Sequence, residues 1–190
     1  GHDYITLAAD AAKRRVLAVA EGRSAETIAT LASELDSRGC APEQVSSVSI
    51  DMSPAFIKGR TAQFTNARIT FDKFHVVWHA GFAVDKMRRI EQRTDRSLKG
   101  MRWSLLKDRS RLSPEAAADL DALIAKMTTV RSARAWVYKE QLREILDRKQ
   151  INVVRAMLQH WCTCVMRSKV EPMKKVATLV RHHLEGIVAW

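Results

Sequence analysis

The sequence predicts an α/β fold in its first part, followed by an all-helical remainder, and three observations support this prediction. Short apolar segments with the length and composition of β-strands occur only before residue 72, where they alternate with helical patterns. After Phe74 the apolar residues recur at helical spacing, and no convincing strand follows. The charge changes at the same point: residues 1–71 carry 8 basic and 8 acidic residues, whereas residues 72–190 carry 24 and 13, which accounts for the whole net charge of +11.

The chain begins with a predicted β-hairpin and a helix. Residues 4–9 and 15–20 have the apolar, partly β-branched composition of strands, and residues 10–14 between them form the turn. Ser24 then begins a helix, because its hydroxyl can cap the first turn. Gly39 is expected to end this helix in a left-handed conformation.

Two further strands each end in an aspartate. Residues 45–50 form the first of them and precede Asp51, and residues 67–71 form the second and precede Asp72. The segment between them begins with Ser53 and has Pro54 at the first helical position, so we expect a helix that extends to about Phe64.

The rest of the chain is predicted to be helical. A long helix begins near Phe74, and Ser113 followed by Pro114 marks a later helix start. The segment around Gly100 is the most irregular. The expected later helices cover residues 113–130, 132–148, 150–167 and 171–189.

This order of elements predicts a mixed sheet, antiparallel on one side and parallel on the other. The ribonuclease H-like fold is built in this way, but it has three antiparallel strands before its first helix, whereas only two precede Ser24 here. We therefore expect a ribonuclease H-like mixed sheet that lacks its first strand, over residues 1–80. A large helical, basic region follows over residues 81–190.

Length and composition restrict the class of protein. The 190 residues fit one domain or one domain with a large appendage, and no apolar run has the roughly 20 residues that a membrane span needs. The N-terminus lacks the features of a signal peptide. The three cysteines are too few for a disulfide framework, which favours buried or half-buried thiols in a reducing cytosol.

The positive charge indicates a polyanionic partner, and we expect this partner to be DNA or another nucleic acid. The alternative is a solvated helical surface that happens to be basic. Trp103 lies within the basic stretch and is assigned more readily to core packing than to base stacking. The candidate phosphate-binding residues are Lys86, Arg88, Arg89, Arg93, Arg96, Lys99, Arg102 and Lys107.

Asp51 is the candidate metal ligand, because α/β proteins place ligand chemistry at the carboxyl ends of their strands. A two-metal phosphoryl-transfer site needs several carboxylates, and Mg²⁺ prefers such oxygen ligands. Asp51 can supply one of them. The alternative interpretation is a helix cap ahead of Ser53 and Pro54.

Asp72 and His75 form an Asp-x-x-His motif at a strand end and the following helix start. Both side chains can face one cleft beside a metal site. Alternatively, Asp72 caps the helix and His75 lies in its first turn, and the two interpretations are compatible.

With these residues in view, the chain resembles the catalytic region of bacterial insertion-sequence transposases, and more narrowly the ISL-three-type group. The resemblance covers essentially all 190 residues. Its most specific segments are Gly-His-Asp-Tyr-Ile-Thr at residues 1–6, Asp-Lys-Phe-His-Val at residues 72–76, and Lys-Gly to Leu-Leu-Lys at residues 99–107.

The resemblance implies a ribonuclease H-like domain whose Asp-Asp-Glu triad binds two Mg²⁺ ions and cuts and rejoins DNA at element ends. Asp51 matches the second triad member, and Asp72 and His75 match a motif between the second and third members. The helical region then corresponds to an insertion before the catalytic Glu. The resemblance also implies a cytoplasmic bacterial protein that acts as a homo-oligomer.

The sequence departs from the family pattern at both ends. The first catalytic Asp is expected before Gly1 and the Glu beyond Trp190; Asp10 and Glu185 are poor substitutes because of their positions. We therefore expect this chain to be inactive in strand transfer by itself. The alternative function is that of a non-catalytic DNA-binding protein on the same scaffold.

Overall fold

A computed structural model describes residues 3–189 of the chain. Among these residues, the chain divides into two compact units. The first extends to Asp72 and includes Ala189, and the second comprises Lys73–Val188. The division therefore coincides with the start of a long helix, a little before the boundary anticipated at residue 80.

The first unit contains four strands and two helices. Its elements are β1 (Ile5–Asp10), β2 (Arg15–Glu21), α1 (Ala25–Ser37), β3 (Ser47–Ile50), α2 (Pro54–Gln63) and β4 (Arg68–Phe71), with a short 3₁₀ helix at Pro42–Gln44. β1 pairs with β2 as an antiparallel hairpin with an irregularity between Ala8 and Ala9. β3 pairs with β4 in parallel, with Ile50 opposite Phe71.

The single mixed sheet that the sequence predicts is not formed by the described residues. The antiparallel and the parallel pair are both present, but each is a separate two-stranded sheet. The physical reason is that no described strand pairs with both β1 and β3, so each of these strands, like β2 and β4, keeps one unpaired edge. The order of strands and helices along the chain is as predicted, but the two strand pairs are not joined in one sheet.

Both pairs contribute to one core around α1. Ile28, Leu31 and Leu35 are buried on one face of α1, and Ala8 of β1 and Val48 of β3 pack against the same cluster. The helix starts with a capping box between Ser24 and Thr27.

The C-terminus of α1 has the predicted glycine cap. Gly39 has φ of +84°, and its N–H donates to the carbonyl of Asp36, while the N–H of Cys40 donates to the carbonyl of Leu35. This is a Schellman motif, which satisfies carbonyl groups that the helix itself leaves unpaired.

The second unit is helical throughout its described elements. They are α3 (Lys73–Glu91), α4 (Arg102–Leu106), α5 (Pro114–Ile124), α6 (Arg131–Leu146), α7 (Ile151–Met166), α8 (Glu171–His182) and α9 (Leu184–Val188), with 3₁₀ helices at Arg96–Leu98 and Arg109–Arg111. The core of this unit lies between α3, α6, α7 and α8. It includes the fully buried side chains of Val84, Leu142, Leu158 and Met173.

Several side-chain environments can be compared with the predictions. Cys162 is buried and Cys40 and Cys164 are half-buried, as predicted. Trp161 is buried, as predicted, but Trp103 is 59% exposed, so its assignment to the core is wrong. The short helix α4 presents only Leu105 as a fully buried side chain, which leaves the indole of Trp103 outside. Within residues 3–189, no helix combines the length and the apolar character needed to cross a membrane.

Candidate nucleic-acid interface and strand-end carboxylates

Asp51 and Asp72 follow two paired residues of the parallel sheet. Ile50 ends β3 and lies opposite Phe71, which ends β4. The N–H of Asp72 donates to the carbonyl of Ile50 at 3.2 Å, so the hydrogen bonding between the strands continues as far as Asp72. The two carboxylates therefore leave the sheet at the same edge, which is where α/β proteins place ligand chemistry.

The side chain of Asp51 organises the turn that leads into α2. Its Oδ1 accepts the N–H of Ser53 at 2.8 Å, and the side chain is half-buried. Ser53 is the N-cap residue of α2 but makes no side-chain cap. The helix cap expected for Asp51 as one alternative is therefore not formed; Asp51 supports the preceding turn instead, and its Oδ2 is available for another ligand.

A complete metal site is absent from the described part of the chain. No group of three or more His, Cys, Asp or Glu side chains is arranged to hold a metal ion among residues 3–189. Asp51 therefore fits a divalent cation only as one ligand of a larger set. His75 is half-buried in the first turn of α3 and belongs to the helical unit.

Seven of the eight candidate phosphate-binding residues are exposed. They lie on the C-terminal part of α3, on the segment between α3 and α4, on α4 and directly after it: Lys86, Arg89, Arg93, Arg96, Lys99, Arg102 and Lys107. Five of them form no side-chain ion pair or hydrogen bond with another described residue; these are Lys86, Arg93, Arg96, Lys99 and Lys107. Their charges are therefore available to an anionic partner.

The eighth candidate, Arg88, is buried. Its Nε and Nη2 atoms donate to Oδ1 of Asp85 at 3.0 and 2.8 Å. A phosphate contact would require this guanidinium to leave a buried ion pair, so we assign Arg88 a structural role.

Asp85 is the centre of a small network of arginines. Besides Arg88, Arg89 approaches its Oδ2 at 2.8 Å and Arg102 its Oδ1 at 3.8 Å. Burial alone would raise the pKa of Asp85, but hydrogen bonding from Arg88 and the three nearby positive charges outweigh burial and lower the pKa below its ordinary value. The ionised carboxylate thereby holds Arg89 and Arg102 in place at the surface.

Two acidic residues that the sequence analysis weighed as poor catalytic substitutes have structural partners. Asp10 ends β1, and its Oδ1 accepts the N–H groups of Ala12 and Lys13 at 3.0 and 2.9 Å. Glu185 of α9 forms a bidentate ion pair with Arg155 of α7. Of the motif at residues 1–6, Gly1 and His2 lie outside the described residues.

Sequence reasoning missed a row of exposed aromatic side chains on α3. Phe74, Trp78 and Phe82 follow one another at intervals of four residues, and all three are exposed. Val76, Ala80 and Val84 occupy the buried face of the same helix. The spacing was available in the sequence: aromatics at positions i, i+4 and i+8 share a face that the core-forming positions do not occupy.

Comparison with known proteins supports a specific family. A sequence profile matches residues 1–190; it belongs to the ISL3-type family, which is described as Transposase. The chain is also 29% identical over 197 aligned positions to the transposase for insertion sequence element IS1001 of Bordetella parapertussis; the alignment covers 100% of this chain and 48% of that protein. No solved structure gives a significant match. Because the family profile covers the whole chain, the protein belongs to the ISL3 family of transposases.

Proposed function

We propose that this chain is part of a DNA transposase, in which the helical unit binds DNA and the α/β unit contributes one carboxylate to the catalytic metal site. The observation that carries the DNA-binding part is the group of seven exposed cations between residues 86 and 107, five of which have no side-chain partner among the described residues. The family match supports the transposase part. The chain spans about half the length of the relative that it matches, so the reaction is proposed for the whole protein.

The charge of the helical unit suits a phosphate backbone. Each phosphate that a Lys or Arg neutralises releases a bound counterion, so affinity falls steeply as salt rises. Cations without intramolecular partners contribute most directly, because no protein ion pair must be broken to form the phosphate contact. Lys86, Arg93 and Lys107 meet this condition.

Asp51 is the proposed catalytic ligand of the α/β unit. Its carboxylate leaves the carboxyl end of β3, and one of its oxygens has no described hydrogen bond. Magnesium, when bound, would provide charge stabilisation for phosphoryl transfer. The described residues supply only part of a metal site, so we propose that further ligands come from elsewhere in the assembled enzyme.

We further propose that the first unit belongs to the ribonuclease H-like class. Support comes from the hairpin, the parallel pair and the unpaired edges of β1 and β3, between which a further strand can join the two sheets. Hydrogen exchange of β1 and β3 amides tests this in a longer chain: slower exchange is expected, and unchanged exchange would contradict the proposal.

A non-catalytic DNA-binding protein is the second candidate. It is favoured by the hydrogen bond between Asp51 and Ser53, which gives this carboxylate a structural role that needs no metal. Magnesium-dependent cleavage by the complete protein, lost on Asp51→Asn substitution, separates the two candidates.

The DNA-binding proposal is tested with two triple variants that remove the same charge from the helical unit. One carries Lys86→Ala, Arg93→Ala and Lys107→Ala, and the control carries Arg148→Ala, Lys149→Ala and Lys169→Ala at other exposed positions. We expect the first to reduce the salt dependence of duplex binding by about 0.9 in logarithmic slope for each lost contact, and the control to change it by less than about 0.9. Equal effects would contradict this location of the interface.

A further inference from the structure

The aromatic row on α3 borders two hollows in the helical unit: Phe82 lines both of them, and Phe74 and Trp78 line the second. Phe74, Trp78 and Phe82 are 66%, 48% and 57% exposed, although rings of this size usually bury most of their surface. Trp78 and Phe82 meet edge to face, with ring centroids 4.2 Å apart and an interplanar angle of 77°. One ring covers part of a face of the other in this contact, but about half of each side chain stays exposed and can meet a flat ligand.

The first hollow combines an apolar floor with a cationic rim. Its volume is about 660 Å³, and Phe82, Ile90, Val176 and Leu179 contribute the apolar surface between α3 and α8. Its rim carries Lys86, Arg89, Arg93 and Lys175. Of these four, only Arg89 has an ion-pair partner among the described residues, namely Asp85.

The second hollow shares Phe82 and Asp85 with the first. Its volume is about 350 Å³, and the exposed rings of Phe74, Trp78 and Phe82 form part of its wall. Its acidic groups, Asp85 and Glu140, are engaged by Arg88 and Arg89 and by Lys139 and Arg143, respectively.

Exposed aromatic rings and cationic side chains lie side by side on this surface, and this combination fits one kind of ligand. A single strand of nucleic acid presents flat apolar bases and one negative charge per nucleotide, and proteins bind it with exposed aromatic rings beside cations. A second copy of this chain would bring a further net charge of +11 to the same rim, which opposes its docking there.

We propose that Trp78 and Phe82 form a stacking platform for unpaired bases of a DNA strand whose phosphates are bound by Lys86, Arg93 and Lys175. This proposal rests on the proposed DNA-binding function and specifies its substrate: a strand with accessible bases, in addition to duplex. It assigns the two aromatic residues to base contact and the three cations to backbone contact.

The test compares an oligothymidylate, an abasic oligonucleotide of equal length and a duplex. We expect the unsubstituted protein to bind the oligothymidylate more tightly than the abasic strand. Trp78→Leu and Phe82→Leu should each weaken oligothymidylate binding by about tenfold and leave abasic and duplex binding within about twofold. Leucine keeps an apolar side chain, so this loss reports the ring itself.

Two further variants control for folding and location. Trp78→Phe keeps a ring and should retain affinity for the oligothymidylate. Ile151→Ala removes a side chain of α7 that is 49% exposed and lines neither hollow, and should change affinity by less than about twofold. Unchanged thermal unfolding of the leucine variants confirms that the fold is intact.

The possible failures are distinguishable. Equal affinity for the oligothymidylate and the abasic strand, or equal losses from Trp78→Leu and Ile151→Ala, would overturn the stacking platform. If duplex binding persists in that case, the proposed DNA-binding function stands without it. Failure to bind any of the three DNAs would overturn both.

Discussion

The carboxylate of Glu91, the last residue of α3, accepts hydrogen bonds from both the N–H and the hydroxyl of Ser132, each at 2.6 Å. It also accepts the N–H of Arg131 at 2.8 Å. Arg131 and Ser132 form the first turn of α6, whose N-cap residue is Val130 and provides no side-chain cap. A residue of another helix therefore caps α6, and a negative charge lies at its positive end.

Glu91→Ala is expected to lower the free energy of unfolding by about 2–4 kcal/mol. It removes a buried acceptor and leaves two backbone N–H groups and a buried hydroxyl unpaired. Glu144→Ala, at an exposed position of α6, is the control and should change stability by less than about 0.5 kcal/mol. Urea denaturation measures both, and equal effects would refute the capping role.

Acid should destabilise the helical unit through Glu91 and Asp85. Burial opposes ionisation of Glu91, but hydrogen bonds from Ser132 and Arg131 prevail and lower its pKa below the ordinary 4.5, and the pKa of Asp85 is lowered from 3.8. The unfolded chain therefore takes up protons at a higher pH than the folded chain does. The stability that these two carboxylates contribute is fully present above their pKa values in the unfolded chain. It is lost as the pH falls below about 4.5.

This pH dependence can be measured by urea denaturation at several pH values. The slope of stability against pH should be positive below about pH 4.5. Glu91→Gln should reduce that slope, because it removes one of the titrating groups. Constant stability from neutral pH down to about pH 3 would show that these carboxylates are not coupled to folding.

Gly59 of α2 is expected to tolerate no side chain. A Cβ at this position would lie 2.7 Å from Cβ of Ile28 and 3.0 Å from the carbonyl oxygen of Ala25, both in α1. Gly59→Ala should therefore cost about 1–3 kcal/mol. Gly81→Ala, in α3, is the matched control, because its Cβ would meet only the side chain of Leu106 at 3.7 Å and alanine favours a helix by up to about 1 kcal/mol. A Gly59→Ala variant as stable as Gly81→Ala would contradict the close packing of α1 and α2.

The isolated chain is expected to be inactive in magnesium-dependent DNA strand transfer. Asp51 is one carboxylate, and the described residues contain no group of three that could hold a metal ion. Incubation with DNA carrying element ends and Mg²⁺ should give no cleavage product. Specific nicking at an element end by this chain would contradict the prediction.

Local structure followed from the sequence more readily than long-range pairing. The cap at Ser24, the glycine stop at Gly39 and the Pro54 helix start depend on neighbouring residues, and each prediction agrees with the structure. Whether the hairpin and the parallel pair join depends on pairing between residues far apart in the chain, which these local signals do not determine.

The site was predicted only in part for the same physical reason. Lys86 and Arg88 look alike as charges in the sequence, but only Arg88 faces Asp85 and becomes buried. The capping of Ser132 by Glu91 joins residues 41 positions apart, which no local pattern reveals. The aromatic row was visible in the sequence, and its spacing relative to the buried positions of α3 would have identified it as exposed.

If the helical unit binds DNA through its unpaired cations, the affinity for duplex DNA must depend steeply on salt concentration. Fluorescence anisotropy at increasing salt should give a linear fall of log affinity with log salt, and the slope should be steeper than about −3 because several phosphates are contacted. A slope near zero, or no binding at low salt, would contradict the claim.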